Sequence, residues 1–487
     1  MTKAENSSWP LEPEPEALRV LLDECTRFVV DHLRSLPEQP SFDLANAGEV
    51  AASFREPVPQ RGQALADILE RLRPAVAKSF TTAGPGYLAF IPGGGIPAAA
   101  LADLLACATN RFVGVAAAAP ALAQIEATTI QWLAGLMGYP PEAGGILTSG
   151  GSISNLVAMV AARSAKLPED FLEGVIYLSE ETHLSVVKGA RIAGFSDRNL
   201  RRIPVDARCR ILPEKLEQQI REDRAQGLRP FLVIANMGTT NTGAVDPLPD
   251  LLEIGRRQDL WIHADAAYGG FFRLAREGDS LMPGLERCDS ITLDPHKGLF
   301  LPYGTGCLLL RNPESLSQAL RTEASYLQDV SEGKGIPNFH EISPELSRDF
   351  RGLRIWLPLQ LHGLAAFREQ IQEKLDLARW AYRELKDDPL FEMLDEPQLS
   401  IVAFTARGEI PEANARGAEI LRRVNERRKV FLSSTNLKGR YVLRICVLSF
   451  RSHADRVRDA VQGLKEEARA LEEERARRGK PGSSDGA

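Results

Sequence analysis

Between residues 81 and 358, short β-branched runs alternate with helical windows, and this alternation restricts the possible folds more than any other feature. "GVIYLS", "FLVIAN", "LWIHAD", "SITLD" and "GCLLLR" read as buried strands. Among them, "PLPDLLEIGRRQD" reads as a crossover helix, and "PEKLEQQIREDRAQG" opens at Pro213 and closes at Gly227, as helix ends prefer. Parallel neighbours need such crossovers, so the expected fold is α/β, with a parallel or mostly parallel sheet covered on both faces. In such sheets ligands collect beyond the carboxyl ends of the strands.

With 487 residues the chain exceeds what one core supports, so a large domain with a smaller companion is expected. Residues 1–80 hold a Pro/Glu-rich start and the amphipathic "EALRVLLDECTRFVVDHLRSL", which suits a helical arm or docking segment without a core of its own. Residues 81–358 form the large domain. Residues 359–470, with "LSIVAFTAR", "AEILRRVNERRK", "VFLSST" and "GRYVLRICVLSF", read as a small α+β domain, and 471–487 as a charged, disordered tail. A net charge of -6 offers no basic field, which excludes nucleic acid and anionic lipid as expected partners. "FVGVAAAAPALAQIEATTI" is interrupted by Pro120, Gln124 and Glu126, too early to span a bilayer, and no secretory signal is readable. Cys25, Cys107, Cys209, Cys288, Cys307 and Cys446 lack paired spacing, which argues against zinc or a disulfide framework and for a cytoplasmic setting.

Chemistry-bearing residues follow the strands. After "GGILT" comes "SGGSISNLVAMVAAR", a glycine-rich turn opening a helix near Ser152, where free N–H groups and the helix dipole would hold a phosphate; an ordinary connection would look the same. His183 follows "GVIYLS" and reads equally as a helix cap. Thr239 and Thr240 follow "FLVIANMG". "LWIHAD" delivers Asp265 among small residues, and a buried carboxylate there needs a cation. "SITLDPHKG" delivers His296 and Lys297; a lysine drawn into a cleft loses hydration, its pKa falls, and the amine becomes a nucleophile able to form a Schiff base. His263, Asp265 and His296 also have the form of a two-histidine, one-carboxylate iron site, which would leave Lys297 and the Gly-Gly-Ser turn unused. Pyridoxal 5'-phosphate uses the whole set: a lysine, an acid beside its ring nitrogen, and donors for its phosphate.

"SGGSISN", "THLS", "NMGTTNTGAVDP", "WIHADAAYGG", "DPHKG" and "SRDFRGLRIWLPL" together resemble the group II pyridoxal-phosphate-dependent amino acid decarboxylases over residues 80 to 450. The resemblance implies the type I, aspartate-aminotransferase-like fold and a homodimer with the active site at the subunit interface. It also implies that an L-amino acid loses carbon dioxide to leave an amine. By match, Lys297 would form the Schiff base, Asp265 would meet the ring nitrogen, and His183 would stack on the ring face opposite Ala267. Gly150, Gly151, Ser152 and His296 would hold the phosphate, with Thr240 near the ring.

Two departures stand out. Where the family carries a proton-donating loop tyrosine, this chain reads "EGKGIPNFHEISPEL", placing Phe339 or Asn338 there. Either His340 or Tyr326 substitutes, or the reaction diverts to an aldehyde synthase or transaminase outcome. Gly93, Gly94 and Gly95 stand in a pocket segment that is usually bulkier; they permit close backbone approach, a wider pocket or a flexible turn. Arg351 and Arg444 are candidate carboxylate binders, with an ion-pair role the plainer reading for Arg444.

Overall fold

The computed structural model describes residues 11–321 and 335–478. The apolar runs form the larger sheet: β1 (Gly144–Thr148), β2 (Gly174–Ser179), β3 (Leu200–Ile203), β4 (Arg229–Asn236), β5 (Trp261–Asp265), β6 (Ser290–Leu293) and β7 (Gly306–Leu310). Their order is β1-β7-β6-β5-β4-β2-β3. Every pairing is parallel except the two made by β7, so the sheet is mostly parallel, as expected from the crossovers. Strands β2, β5, β6 and β7 are buried along their whole length because helices cover both faces. "LRRI" of β3 was not anticipated; its polar residues lie at the sheet edge, where one side of the strand meets no neighbour.

The smaller sheet contains β8 (Phe391–Met393), β9 (Ile401–Ala406), β10 (Ser433–Leu437) and β11 (Arg440–Cys446), all antiparallel, in the order β10-β11-β9-β8. Helices Ile410–Glu426 and Ala454–Arg478 contribute to its core. Helix Gly352–Lys386 runs from the large sheet's layer into this second core and breaks at Gly363, whose φ is +71°. The first helices, Pro15–Ser35 and Leu65–Ala77, have amphipathic patterns yet no buried residue. Among the described residues no helix is long and apolar enough to cross a membrane.

Candidate active site

The carboxyl ends of β1, β2, β4, β5 and β6 open on one cavity of about 350 Å³. Gly150, Gly151, Ser152, His183, Thr240, Asp265, Ala267, His296 and Lys297 all line it. Five strand ends, distant in sequence, thus bring all nine of these residues to a single void.

Each arrives for a local reason. Helix Gly151–Lys166 begins directly after the β1 turn, and its first internal bonds run from Ile153 and Ser154 to the Gly150 carbonyl. The N–H groups of Gly151 and Ser152 precede those bonds, at the positive end of the helix dipole. A Cβ on Gly151 would lie 3.1 Å from Asp294 Oδ2 and 3.2 Å from Ala267 Cβ, so glycine keeps this cradle open. His183 caps helix Leu184–Ile192, its Nδ1 accepting from the Ser185 N–H at 3.3 Å, and also lines the cavity, so cap and wall are one residue. Burial holds its pKa below the ordinary imidazole value, against the pull of Asp265. His296 Nδ1 donates to the Thr305 carbonyl at 2.7 Å, which fixes the orientation of the ring in the cavity wall. Asp265, 8% exposed, accepts from Asn155 Nδ2 at 2.9 Å and from the Ala267 N–H at 3.3 Å.

Lys297 departs from expectation. In place of a lone desolvated amine, its Nζ lies 2.9 Å from Asp294 Oδ2 in an ion pair. Asp294 is 3% exposed, and its Oδ1 has no hydrogen-bond partner among the described residues. A buried acceptor left open beside the amine marks a site short of donors.

Asp294, Asn155 and Tyr303 also line the cavity and were not singled out from the sequence. Asn155 had a readable signal: it lies one helical turn beyond Gly151, on the face that follows the cradle. Asp294 stands three residues before Lys297, the spacing that lets one helical turn join them.

Other expectations are corrected. Arg351 pairs with Glu345 and Asp349, and Arg444 donates to the carbonyls of Phe90, Thr240 and Asn241 and to Ser433 Oγ; both guanidinium groups are engaged by protein acceptors, and neither arginine lines the cavity. His263 does not share a metal-like void with His296, because its ring nitrogens bond Ser290 Oγ at 2.7 Å and Asn155 Oδ1 at 2.9 Å. Phe339 is fully buried under the Arg348 guanidinium, 5.1 Å from its ring centroid. Asn338 Oδ1 accepts from the Ala116 N–H, and His340 Nδ1 lies 3.0 Å from the Gly114 carbonyl. None of these three lines the cavity, and Tyr326 lies outside the described residues.

Within the glycine triplet, Gly93 and Gly94 resolve toward close approach, whereas Gly95 has open space around it and a φ of +61°. A Cβ on Gly94 would lie 2.6 Å from Phe300 Cβ and from Phe450, and one on Gly93 2.9 Å from the His296 carbonyl. Gly94→Ala should therefore destabilise the fold by about 1–3 kcal/mol, the usual overpacking cost. In a urea titration the midpoint falls while the slope is unchanged.

The family model described as the pyridoxal-dependent decarboxylase conserved domain matches residues 48–407. An aromatic-L-amino-acid decarboxylase from Bacillus atrophaeus is 36% identical over 461 residues, covering 93% of this chain and 96% of that protein. A phenylacetaldehyde synthase from Arabidopsis thaliana is 28% identical, covering 91% of this chain and 94% of that protein. Among solved structures, Oryza sativa TDC with PLP and tryptamine superposes with a TM-score of 0.90 at 28% identity, covering 96% of this chain and 100% of that one.

Proposed function

Because the chain belongs to the pyridoxal-dependent decarboxylase family, we propose that the substrate of its decarboxylation is an aromatic L-amino acid, released as the amine and carbon dioxide. That the protein is a pyridoxal-phosphate-dependent carboxy-lyase acting on an amino acid follows from the family itself. The aromatic class is supported by the bacterial relative's activity and by the tryptamine held in the rice structure. The observation that carries the site reading is the convergence of Lys297, Asp265, His183 and the Gly151 helix start on one cavity.

The residues present fit the cofactor. Glycines keep the cradle at the helix start open, a buried carboxylate lies deeper, and Asp294 retains an open acceptor beside the amine. Gly150, Gly151, Ser152 and His296 would hold the phosphate, Asp265 the ring nitrogen, Lys297 the aldehyde carbon, and His183, Ala267 and Thr240 the ring. Bound pyridoxal phosphate supplies an electron sink for the pair left behind as carbon dioxide departs. The protein's share is positioning and proton control. Asp265 is an acceptor that favours a protonated ring nitrogen, and Asp294 lies within proton-transfer distance of the Lys297 amine.

A proton must return to the substrate carbon, and in this reading Tyr303 provides it, since its phenol lines the cavity whereas Phe339 is buried elsewhere. The native enzyme should release amine and carbon dioxide in equal amounts with peroxide at background. Tyr303→Phe should lower amine formation by about 10²-fold, the scale of a lost general acid. Mass spectrometry of products with a parallel peroxide assay decides the matter. Aldehyde plus peroxide from the native enzyme would favour the oxidative outcome instead, and undiminished amine from the variant would remove Tyr303 from the role.

A homodimer with the active site at the subunit interface is supported by the uncovered apolar stripes of helices Pro15–Ser35 and Leu65–Ala77 and by Tyr303, 58% exposed although it lines the cavity. Light scattering should give about twice 53.5 kDa, and a single-chain mass would refute it. A cytoplasmic setting is supported by the six unpaired cysteines.

A further inference from the structure

Trp261, His263 and Asp265 alternate along β5 and so project from one face of the sheet, with Ser290 and Thr292 beside His263 and Asp265 on β6. Helix Gly151–Lys166 packs on this face and contributes Asn155, 1% exposed. These polar groups form a continuous chain of hydrogen bonds, and its two ends, Trp261 as a donor and Asp265 as an acceptor, assign its direction.

Trp261 Nε1 can only donate, and it does so to Ser290 Oγ at 2.8 Å. The single hydroxyl hydrogen of Ser290 is then free for His263 Nδ1, 2.7 Å away. Because the Asn155 amide oxygen faces it, His263 carries its proton on Nε2 and donates it to Asn155 Oδ1 at 2.9 Å, with Thr292 Oγ1 a weaker neighbour at 3.3 Å. The same Asn155 amide donates through Nδ2 to Asp265 Oδ2 at 2.9 Å and to Ser185 Oγ at 3.4 Å. Ser185 Oγ in turn lies 2.8 Å from His183 Nδ1, so its hydrogen goes there and His183 keeps its own proton on Nε2. One amide therefore serves both the carboxylate and the imidazole of the cavity.

We propose that Asn155, oriented by His263 and Ser290, is the positioning residue that holds Asp265 as an ionised acceptor and His183 as its Nε2–H tautomer. The inference rests on the reading that Asp265 meets the cofactor's ring nitrogen. If Asp265 took up a proton on Oδ2, the Asn155 amide would face a donor, so the arrangement favours the carboxylate. His263 suits the relay because it stays neutral: burial pushes its pKa down to about 4.

The test uses holoenzyme loaded with pyridoxal phosphate labelled with ¹⁵N in the ring, whose resonance reports the ring-nitrogen proton directly. Asn155→Leu should move that resonance from the pyridinium position toward neutral pyridine and raise the cofactor dissociation constant about tenfold. His263→Phe should do the same to a smaller extent, and it keeps the question answerable if Asn155→Leu does not fold. Ser185→Ala should leave the ring resonance in place and alter only the His183 tautomer. Asp265→Asn serves as the control. If it moves the resonance while Asn155→Leu and His263→Phe do not, even at lowered melting temperature, Asn155 is merely structural and the proposal fails alone. If Asp265→Asn leaves the resonance unmoved, the reading beneath the proposal fails and takes it down as well.

Discussion

Lys297→Ala is expected to yield a protein that no longer captures pyridoxal phosphate covalently and that has lost at least about 10³-fold of its decarboxylase turnover, within the range for removal of a positioned proton-transfer group. The expectation follows from what the amine has around it. It enters the cavity on the turn after β6, pairs with Asp294 at 2.9 Å, and is the one lysine among the described residues of the cavity wall. Among the described residues no other lysine lines the cavity to take its place. Borohydride reduction followed by peptide mapping should label the native peptide that carries position 297 and no peptide of the variant. A label found elsewhere, or turnover that survives the substitution, would refute the assignment. The variant also leaves Asp294 buried without its cation, so Asp294→Asn in the Lys297→Ala background should recover stability, because a neutral amide is less costly to bury than an unpaired carboxylate.

Asp265→Asn should retain the shape of the site and lose about 10²- to 10³-fold in turnover, the scale on which a single preorganised electrostatic partner acts. The carboxylate is 8% exposed and already held by two donors, Asn155 and the Ala267 N–H, so it is fixed before any ligand arrives. An amide at the same position cannot stabilise a protonated ring nitrogen by charge. Turnover measured at saturating cofactor separates this loss from weaker binding, and Asp265→Glu should recover part of it. Turnover of Asp265→Asn within a few-fold of native would show that the carboxylate is not the ring's partner.

Much of this was legible in the residues. Alternation of "FLVIAN", "LWIHAD" and "SITLD" with helical windows is a local property, and it was enough for the sheet and for the end at which the cavity opens. Glycine, histidine, aspartate and lysine at strand ends were conspicuous because each is unusual beside an apolar run. Asn155 and Asp294 were inconspicuous for the opposite reason. A polar residue inside a helix or after a strand is commonplace, and its meaning here comes from what packs across from it, Asp265 and His263 for one and Lys297 for the other. The reversal of β7 is equally invisible, since a buried strand's side chains do not record its direction. Phe339 ran the other way: the family resemblance set it or Asn338 at the place of the loop tyrosine, while its apolar ring is buried in the core beneath Arg348.

The uncovered stripes of helices Pro15–Ser35 and Leu65–Ala77 have a thermodynamic consequence. If they find shelter only against a second molecule, heat resistance becomes a function of how much protein is in the tube, because mass action then favours the sheltered form. Diluting such a preparation would lower its melting point with every covalent bond and every internal contact of the chain left as it was.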